Sequence, residues 1–431
     1  MVVNNTYGYT EYYKLISKIK RYLKERNKPY IHIAKGDVDR KAYPVQKNLI
    51  DIMKKSIDKQ YFKYSQPLGR KDTRDILAFY HNLRCGKDIY SYKNISLLLT
   101  FSSGLDGIVR ILKRNFNLKK ALVATPTYVN NIDVFVENDI NIKTFSTSRG
   151  NEFNPLYSDI VNNIDKDTKL LILCNPNFPF GRYINKNEFK KIVNLCEENN
   201  IYLVLDNAYS DMEFSKGIQT KYDLSDITSE YLIRIYSYSK RLGLPGLRLG
   251  YLIANEEIIE GLSKHFEVLH GCSQTVFEPL IDYDTLLSIL DRYGMQRFIE
   301  AKNLISESEK MIILNRCEYD VKEYIGSLRN NLKMYKQNYV MIKNVFSSDS
   351  RMYDLIEPQG GFNIGFGLKT NRTSMDIFKE VLLNTGVAIT PQEVFQMKDS
   401  HDKSWFRITL ANDPVKLSLA VSKLHKYFSK L

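Results

Sequence analysis

Short apolar segments that alternate with helical segments between residues 95 and 236 restrict the fold more than any other feature. Each apolar segment is too short for a helix and is followed by polar or turn-forming residues. We predict strands at Ile95–Thr100, Ala121–Ala124, Leu170–Cys174, Ile201–Leu205 and Tyr231–Tyr236, with helices near 103–116, 130–138, 156–164 and 186–199. This alternation predicts an α/β fold with a mostly parallel sheet, whose ligand site lies at the carboxyl ends of the strands.

The length of 431 residues exceeds what one hydrophobic core usually supports, so we expect two domains. An apolar fraction of 43% favours a folded globular chain. The formal charge of +13 suggests a nucleic-acid partner, but the lysines alternate with acids along the whole chain and form no basic arm. We therefore expect no nucleic-acid or membrane partner, while a basic cleft that attracts anionic ligands remains possible.

The cysteines are far apart and form no C-x-x-C pair, which argues against a zinc site, any other metal site of that kind and a disulfide framework. They are Cys85, Cys174, Cys196, Cys272 and Cys317. The first residues lack the apolar core of a signal peptide, and no later segment is apolar enough to cross a bilayer. We expect a cytoplasmic protein without a metal.

The segment from Tyr236 to Tyr251 follows the last predicted strand and contains Lys240 among closely spaced glycines and a proline, which disfavour a plain helix. A lysine that is desolvated on a rigid loop loses its proton and becomes a nucleophile. Ser237, Ser239 and Arg248 could bind a phosphate dianion beside it. A covalent amine next to a phosphate site is what pyridoxal 5'-phosphate requires. The alternative is an exposed basic loop.

Asp206 and Tyr209 lie at the end of another predicted strand, in the sequence LDNAYSDMEF. A carboxylate in this place can keep the cofactor's pyridine nitrogen protonated, which makes the ring an electron sink. A nearby phenol can donate a hydrogen bond to the ring oxygen. An acidic helix cap followed by a packed tyrosine would explain the same residues without a cofactor.

Three further features agree with a cofactor site. Ser103, Gly104 and Leu105 follow a strand and are predicted to open a helix, whose free N–H groups can bind phosphate. Tyr128 comes just after a strand and could stack on the pyridine ring, although a core tyrosine is common in such a place. Arg407 lies in an apolar strand and could bind a carboxylate at two points, unless an internal salt bridge occupies it.

Together these motifs resemble the class I/II aminotransferases, which are fold-type I pyridoxal-phosphate enzymes. The resemblance rests on YSQPLGRKDTR, PTY, CNPNFPFG, DNAY, SYSKRLGLPGLRLGY, PQGGF and FRITLA, which follow the family's order and spacing over nearly the whole chain. It implies a large cofactor-binding domain at 46–325, with a possible helical insertion at about 276–320. It also implies a small α+β domain formed by residues 1–45 and 326–431.

The resemblance also implies roles for individual residues. Lys240 forms the Schiff base with pyridoxal phosphate and moves the proton at the substrate's Cα. Asp206 pairs with the pyridine nitrogen, Tyr209 with the ring hydroxyl, and Tyr128 stacks on the ring. The phosphate contacts come from Ser237, Ser239, Arg248 and the turn at Ser103, Gly104 and Leu105. Tyr64 corresponds to the tyrosine that reaches the neighbouring subunit's phosphate, which implies a homodimer. Arg407 binds the substrate carboxylate and Gly36 lines the pocket.

One departure from the family lies close to the chemistry. Phe178 stands where the family has an asparagine that donates to the cofactor's ring oxygen. Either the loop presents Asn177 instead, or the hydrogen bond is lost and the pKa of the cofactor's Schiff base rises. Smaller departures are Gln392 in place of a glycine and Thr73 in place of a leucine.

The favoured function is amino-group transfer between an amino acid and a 2-oxo acid. An alternative keeps the cofactor but acts as a decarboxylase, lyase, cyclase or oxidase on an amino acid in a specialised biosynthetic pathway. A more remote alternative is a non-catalytic binding domain of the same fold; the lack of a helix-turn-helix before residue 40 and the complete site set argue against it. The substrate side chain cannot be read from these residues.

Overall fold

Strands and helices alternate through most of the chain in this computed structural model, which describes residues 7–313, 317–349, 352–398 and 402–431. The strands are β1 Ile31–His32, β2 Ile95–Leu98, β3 Lys120–Thr125, β4 Asn141–Ser146, β5 Thr168–Cys174, β6 Tyr202–Asn207, β7 Leu232–Ser237, β8 Gly250–Ile253, β9 Tyr353–Leu355, β10 Asn363–Lys369, β11 Val387–Ala388, β12 Thr390–Pro391 and β13 Lys403–Thr409.

The helices are α1 Tyr7–Glu25, α2 Lys47–Asp58, α3 Lys71–Cys85, α4 Phe101–Phe116, α5 Asn130–Glu137, α6 Tyr157–Val161, α7 Lys186–Glu198, α8 Lys216–Lys221, α9 Tyr238–Arg241, α10 Glu256–His270, α11 Glu278–Lys302, α12 Glu307–Ile313, α13 Cys317–Phe346, α14 Ser374–Thr385 and α15 Pro414–Phe428. Within the residues described, no helix is both long and apolar enough to cross a membrane.

The central sheet has the strand order β2-β8-β7-β6-β5-β3-β4. The pairs from β4 through β3, β5 and β6 to β7 are parallel, whereas β8 runs antiparallel to both of its neighbours. Strands β6 and β7 are almost wholly buried because helices cover both faces, as parallel sheets require. This confirms the predicted α/β class and the mostly parallel sheet.

Two strands of this sheet were not predicted. Strand β4 is a polar edge strand with exposed ends, so its sequence lacks the continuous apolar run of the inner strands. Strand β8 begins inside the glycine-rich segment, to which its first two residues, Gly250 and Tyr251, were assigned. Both misses arise because hydrophobic patterning is weak in short or edge strands.

Both ends of the chain contribute to a second hydrophobic core. Strand β1 pairs with β11, and a four-stranded antiparallel sheet has the order β12-β13-β10-β9. One buried cluster contains Tyr12, Ile16 and Leu23 of α1 together with Phe366, Phe406 and Leu424 from the C-terminal part. This packing agrees with a small domain built from the two termini, although the boundaries at 45/46 and 325/326 remain a prediction.

The stretch at about 276–320 consists of helices packed into the large core. The first half of α11 is buried on all sides, and Gly294 breaks the helical conformation with a φ of 81°. The long helix α13 follows and has 30 residues, from Cys317 to Phe346. Its Tyr324 lies in the large core and its Tyr339 in the small one, so α13 connects the two.

A glycine at the end of α14 fixes the path of β11 beside the N-terminal segment. Gly386 has a φ of 71°, and a Cβ atom there would lie 2.0 Å from the carbonyl oxygen of Pro29. We expect Gly386→Ala to lower the free energy of unfolding by about 2 kcal/mol or more, since it adds a clash to left-handed strain. The measurement is the urea midpoint. Gly86→Ala is the control, because Gly86 has a φ of 69° but open space around it. Equal losses in both variants would refute the role of the Pro29 contact.

Candidate active site

The lysine segment begins at the carboxyl end of β7, at an edge of the central sheet. Ser237 caps the one-turn helix α9 by accepting a hydrogen bond from the Ser239 amide at 3.2 Å. A short 3-10 turn at Pro245–Leu247 follows, and Gly243 adopts a φ of 61°. The closely spaced turn formers thus limit α9 to four residues, which places Lys240 at a fixed point above the sheet.

The Lys240 side chain is half-buried between the lysine segment and the N-terminal segment. Its Nζ atom donates a hydrogen bond to the Gly36 carbonyl oxygen at 2.6 Å and lies 5.9 Å from the centre of the Tyr209 ring. Burial, with a further contribution from the Arg407 charge, lowers the pKa of Lys240 from 10.5 to about 8. Asp37 and Asp206 act in the opposite direction. A sizeable fraction of the amine is therefore neutral and nucleophilic near neutral pH.

Asp206 lies near the end of β6, the strand next to the one that leads into the lysine segment. Its carboxylate accepts a hydrogen bond from the Ala208 amide at 2.9 Å and contacts the Cys174 thiol at 3.7 Å. Burial raises the pKa of Asp206 to about 6. A buried carboxylate of this kind gains stability when a cationic N–H, such as a protonated pyridine, binds beside it.

Tyr209 is held by the small sheet. Its hydroxyl accepts a hydrogen bond from the Asn363 side chain at 2.9 Å, and its ring packs against Phe362 with centres 5.2 Å apart. Burial raises the pKa of Tyr209, so the phenol keeps its proton and can donate it in a hydrogen bond. The tyrosine thus follows a strand of the large sheet, while its orienting partner belongs to the small sheet.

The N-terminus of α4 lies two residues earlier than predicted. Thr100 is the cap residue, and its side chain accepts from the Ser103 amide at 2.8 Å. The Gly104 amide donates to the Thr100 carbonyl at 3.2 Å, and Leu105 is fully buried in the second turn. The prediction that Gly104 and Leu105 offer free amides is therefore wrong. The amides without a helical partner belong to the first turn, at Phe101 and Ser102.

The other predicted cofactor contacts, Arg248, Tyr128 and Tyr64, lie in loops. Arg248 is exposed in a left-handed conformation, with φ 54°, and Nη1 donates to the Pro245 carbonyl at 2.6 Å. Tyr128 follows β3, and burial raises the pKa of its hydroxyl. Tyr64 is 90% exposed and contacts no part of this site. A residue that serves a partner's site is expected to be exposed in a single chain.

Arg407 presents an incompletely satisfied guanidinium in strand β13. Nη2 donates to the Ala34 carbonyl at 2.6 Å and to the Thr390 hydroxyl at 3.1 Å. The buried Nε has no partner among the described residues. No ion pair with a described carboxylate involves this arginine, so the alternative of an internal salt bridge is not supported within that part of the chain. The remaining donors suit a carboxylate ligand.

Phe178 packs against the same guanidinium. The centre of its ring lies 5.3 Å from Arg407 Cζ and 6.2 Å from the centre of the Tyr128 ring. Asn177 does not substitute as a donor, because its side-chain nitrogen already donates to the Glu152 carbonyl and the Asn154 amide oxygen, both at 3.0 Å. Of the two alternatives for this loop, the structure favours loss of the hydrogen bond.

A lysine and a buried aspartate at one edge of the large sheet thus meet an arginine of the small sheet and a phenol that the small sheet holds. The model of the aminotransferase class I and II family matches residues 30–276, which is more than half of the chain. The chain belongs to this family. Its members use pyridoxal 5'-phosphate, so the protein is a pyridoxal-phosphate-dependent transferase.

Individual relatives are distant but cover most of the chain. The HTH-type transcriptional regulator NorG of Staphylococcus aureus is 24% identical over 425 residues, covering 97% of this chain and 84% of that protein. An aspartate aminotransferase of Thermotoga maritima is 22% identical over 299 residues, covering 69% of this chain and 76% of that protein. A crystal structure of aspartate aminotransferase from T. maritima has a TM-score of 0.76, with 19% identity and 96% coverage of each chain. This structural similarity shows the fold.

The residues present fit the cofactor. Lys240 supplies an amine with a lowered pKa, Asp206 a buried carboxylate without a cationic hydrogen-bond partner in the described chain, and the first turn of α4 supplies free amides. Among the described residues, no group of three or more acidic, histidine or cysteine side chains could hold a metal ion.

Three further residues at this site were not predicted. Asn363 orients Tyr209, and Cys174 and Asn131 lie beneath Asp206, with the Asn131 amide donating to Cys174 Sγ at 3.3 Å. Asn363 comes directly after the PQGGF motif, and Cys174 is the first residue of the CNPNFPFG motif. Both therefore lie in or next to segments that carry the resemblance. Sequence order alone gave no reason to connect either with its partner.

The lowered pKa of Lys240 can be tested in the cofactor-free protein. Removing the positive charge in Arg407→Gln is expected to raise this pKa towards 10.5, because a neighbouring cation disfavours the ammonium form. In the unaltered protein roughly a quarter of the amine is neutral at pH 7.5, so acetylation of Lys240 should be fast there. The measurement is the pH dependence of that acetylation rate by mass spectrometry. Arg248→Gln, which removes a weaker influence, is the control. An unchanged profile in Arg407→Gln would contradict the assignment.

Proposed function

We propose that this protein transfers an amino group between an amino acid and a 2-oxo acid. The observation that carries the proposal is the buried Lys240 amine, which lies under the influence of the unsatisfied Arg407 guanidinium. An arginine that binds the α-carboxylate beside a neutral amine can hold an amino acid with its Cα near the lysine. Both groups are needed by a transaminase, and neither is explained by packing alone.

Pyridoxal phosphate supplies the electron sink that stabilises negative charge at the substrate's Cα. We assign the remaining work to residues of this chain. Lys240 moves the proton at Cα, since its pKa lies near the working pH. Asp206 holds the ring-nitrogen proton, and Tyr209 donates to the ring oxygen. Ser237, Ser239, Arg248 and the first turn of α4 hold the phosphate. Tyr128 packs on the ring face, Gly36 lines the pocket, and Arg407 orients the substrate.

We also propose a homodimer with shared active sites. The exposed ring of Tyr64 lies in a loop at the start of the YSQPLGRKDTR motif, and the neighbouring Phe62 is 64% exposed. Aromatic residues of this kind are enriched in protein interfaces. Tyr64 is then positioned to reach the phosphate of the partner subunit. The two substrates are small molecules that share a carboxylate.

A second candidate keeps the cofactor and changes the outcome to decarboxylation, elimination, cyclisation or oxidation. The observation that favours it is Phe178. This side chain lies next to both Arg407 and Tyr128 and has no hydrogen-bond donor. A third candidate, ligand binding without turnover, draws support from the similarity to NorG over 97% of the chain. The products distinguish all three.

The decisive experiment follows the visible absorbance of the cofactor-loaded protein during titration with a panel of amino acids. Transamination converts the cofactor to its amine form and releases a 2-oxo acid in equal amount. We expect this for at least one amino acid, and no reaction in Lys240→Ala. Lys119→Ala, an exposed lysine on the surface, serves as the matched control. Carbon dioxide, ammonia or peroxide as product would support the second candidate. Spectral binding without product in the unaltered protein would support the third.

Phe178 gives a separate prediction about the pH midpoint of the cofactor's absorbance band. Introducing a donor to the ring oxygen in Phe178→Asn favours the deprotonated chromophore and should lower the midpoint by about one pH unit. The control is Phe178→Leu, which removes the ring without adding a donor and should leave the midpoint near that of the unaltered protein. The idea fails if both variants shift the midpoint equally.

A further inference from the structure

A cavity of about 490 Å³ lies where α11, α13 and the loop after Tyr209 meet. None of Lys240, Asp206, Tyr209 or Arg407 lines it. Its size falls in the range of small-molecule sites. Along α13 it spans Ile325, which belongs to the large core, and Leu332, which packs on the small core. The cavity therefore lies at the junction of the two cores, and we call it the junction cavity.

Positive charge predominates in the junction cavity. Six basic side chains line it, against three acids; the basic ones are Lys216, Arg241, Arg292, Arg329, Lys333 and Lys336, and the acids are Asp211, Glu213 and Asp291. Each arginine already has an acidic partner, since Arg292 pairs with Asp211 at 2.7 Å, Arg329 pairs with Asp291 at 2.6 Å and Arg241 pairs with Asp284.

The three lysines differ from the arginines. None of them forms an ion pair with a carboxylate in the part of the chain that the structure describes, and Lys333 and Lys336 lie on one face of α13 at a spacing of three residues. The carboxyl group of Glu213 offsets the positive charge of these lysines only in part. Burial and the neighbouring Asp211 raise its pKa, which favours its neutral form. The lysines at the rim are thus available to an anion.

The floor of the cavity is apolar. Phe214, Ile325, Leu328 and Leu332 line it, and Ile325 is 7% exposed while the other three are half-buried. An ordinary solvated lysine face covers a convex helix and has no such floor. Here the positive side chains and the apolar floor line one open cavity.

From this arrangement we propose that the junction cavity binds a small amphipathic organic anion, with its charged group at Lys333 and Lys336 and its apolar body on the floor. Ammonium groups bind phosphate and carboxylate as point charges, and the apolar stripe adds burial of the body. Nothing in the proposed transaminase chemistry uses this cavity, so the proposal does not depend on that function.

The cavity wall is connected to the active site by backbone hydrogen bonds. The Phe214 amide donates to the Gln359 carbonyl at 2.9 Å, and the Gly361 amide donates to the Met212 carbonyl at 3.0 Å. Residue Glu213 forms a β-bridge with Gly360. The same loop carries Phe362, whose ring centre lies 5.7 Å from Lys240 Nζ. The proposed ligand would therefore rest on a segment that is fixed to the active-site wall.

The test is isothermal titration calorimetry of the cofactor-saturated protein with 1-naphthyl phosphate, a probe with one phosphate and one apolar body. Saturation with pyridoxal phosphate fills the cofactor's own phosphate site. We expect one saturable site per chain, and at least a tenfold weaker affinity in the double variant Lys333→Glu, Lys336→Glu. The matched control is Lys322→Glu, Lys343→Glu, which makes the same charge change on α13 away from the cavity.

A second variant, Leu332→Gln, tests the apolar floor and should also weaken the naphthyl probe, while inorganic phosphate alone should bind more weakly than the probe. Circular dichroism and the melting temperature report whether each variant is folded. The absence of saturable binding, or equal weakening in the cavity and control variants, would overturn the proposal. Failure to load pyridoxal phosphate, seen in the absorbance, would instead bear on the proposed function.

Discussion

The rest of the site depends on how the Lys240 amine is held away from water, where it donates a hydrogen bond to Gly36. Taking an ammonium group out of water is costly, so the chain either pairs it or lets it lose its proton. Here burial and the nearby Arg407 charge bring the pKa to about 8. The amine donates its hydrogen bond to the Gly36 carbonyl. The lysine segment of the large sheet is thereby tied to a residue that is 204 positions earlier in the chain.

That N-terminal segment needs its own support, which comes from the small sheet. The Thr409 amide donates to the Ile33 carbonyl at 2.7 Å, and Arg407 donates to the Ala34 carbonyl at 2.6 Å. The glycine at Gly386 lets the β11 segment approach Pro29 closely. Tyr209 and Asn363 form a second connection between the cores, at 2.9 Å. The active site is therefore the place where the two cores are joined, and neither core alone orients its side chains.

The sequence predicted the large features because they depend on local patterns. Continuous apolar runs marked the inner strands, and the residues after β6 and β7 could be predicted to lie together because parallel strands end at one edge. The start of α4 was predicted two residues too late, because Thr100, which was assigned to the preceding strand, caps the helix. The edge strand β4 was missed because its exposed polar residues lack the pattern. The roles of Asn363 and Cys174 depend on contacts across the fold, which no local pattern records.

Phe178 and Arg407 together set what the site can do with a carboxylate. An aromatic ring 5.3 Å from the guanidinium carbon attracts the cation and keeps water from that face, but it donates no hydrogen bond. A polar residue at position 178 could share the carboxylate with the arginine. If Arg407 binds the substrate carboxylate as proposed, phenylalanine adds no hydrogen bond, and the carboxylate depends on the Arg407 donors that Ala34 and Thr390 leave free. A small displacement of Arg407 would then change which bond at the substrate's Cα is aligned for cleavage.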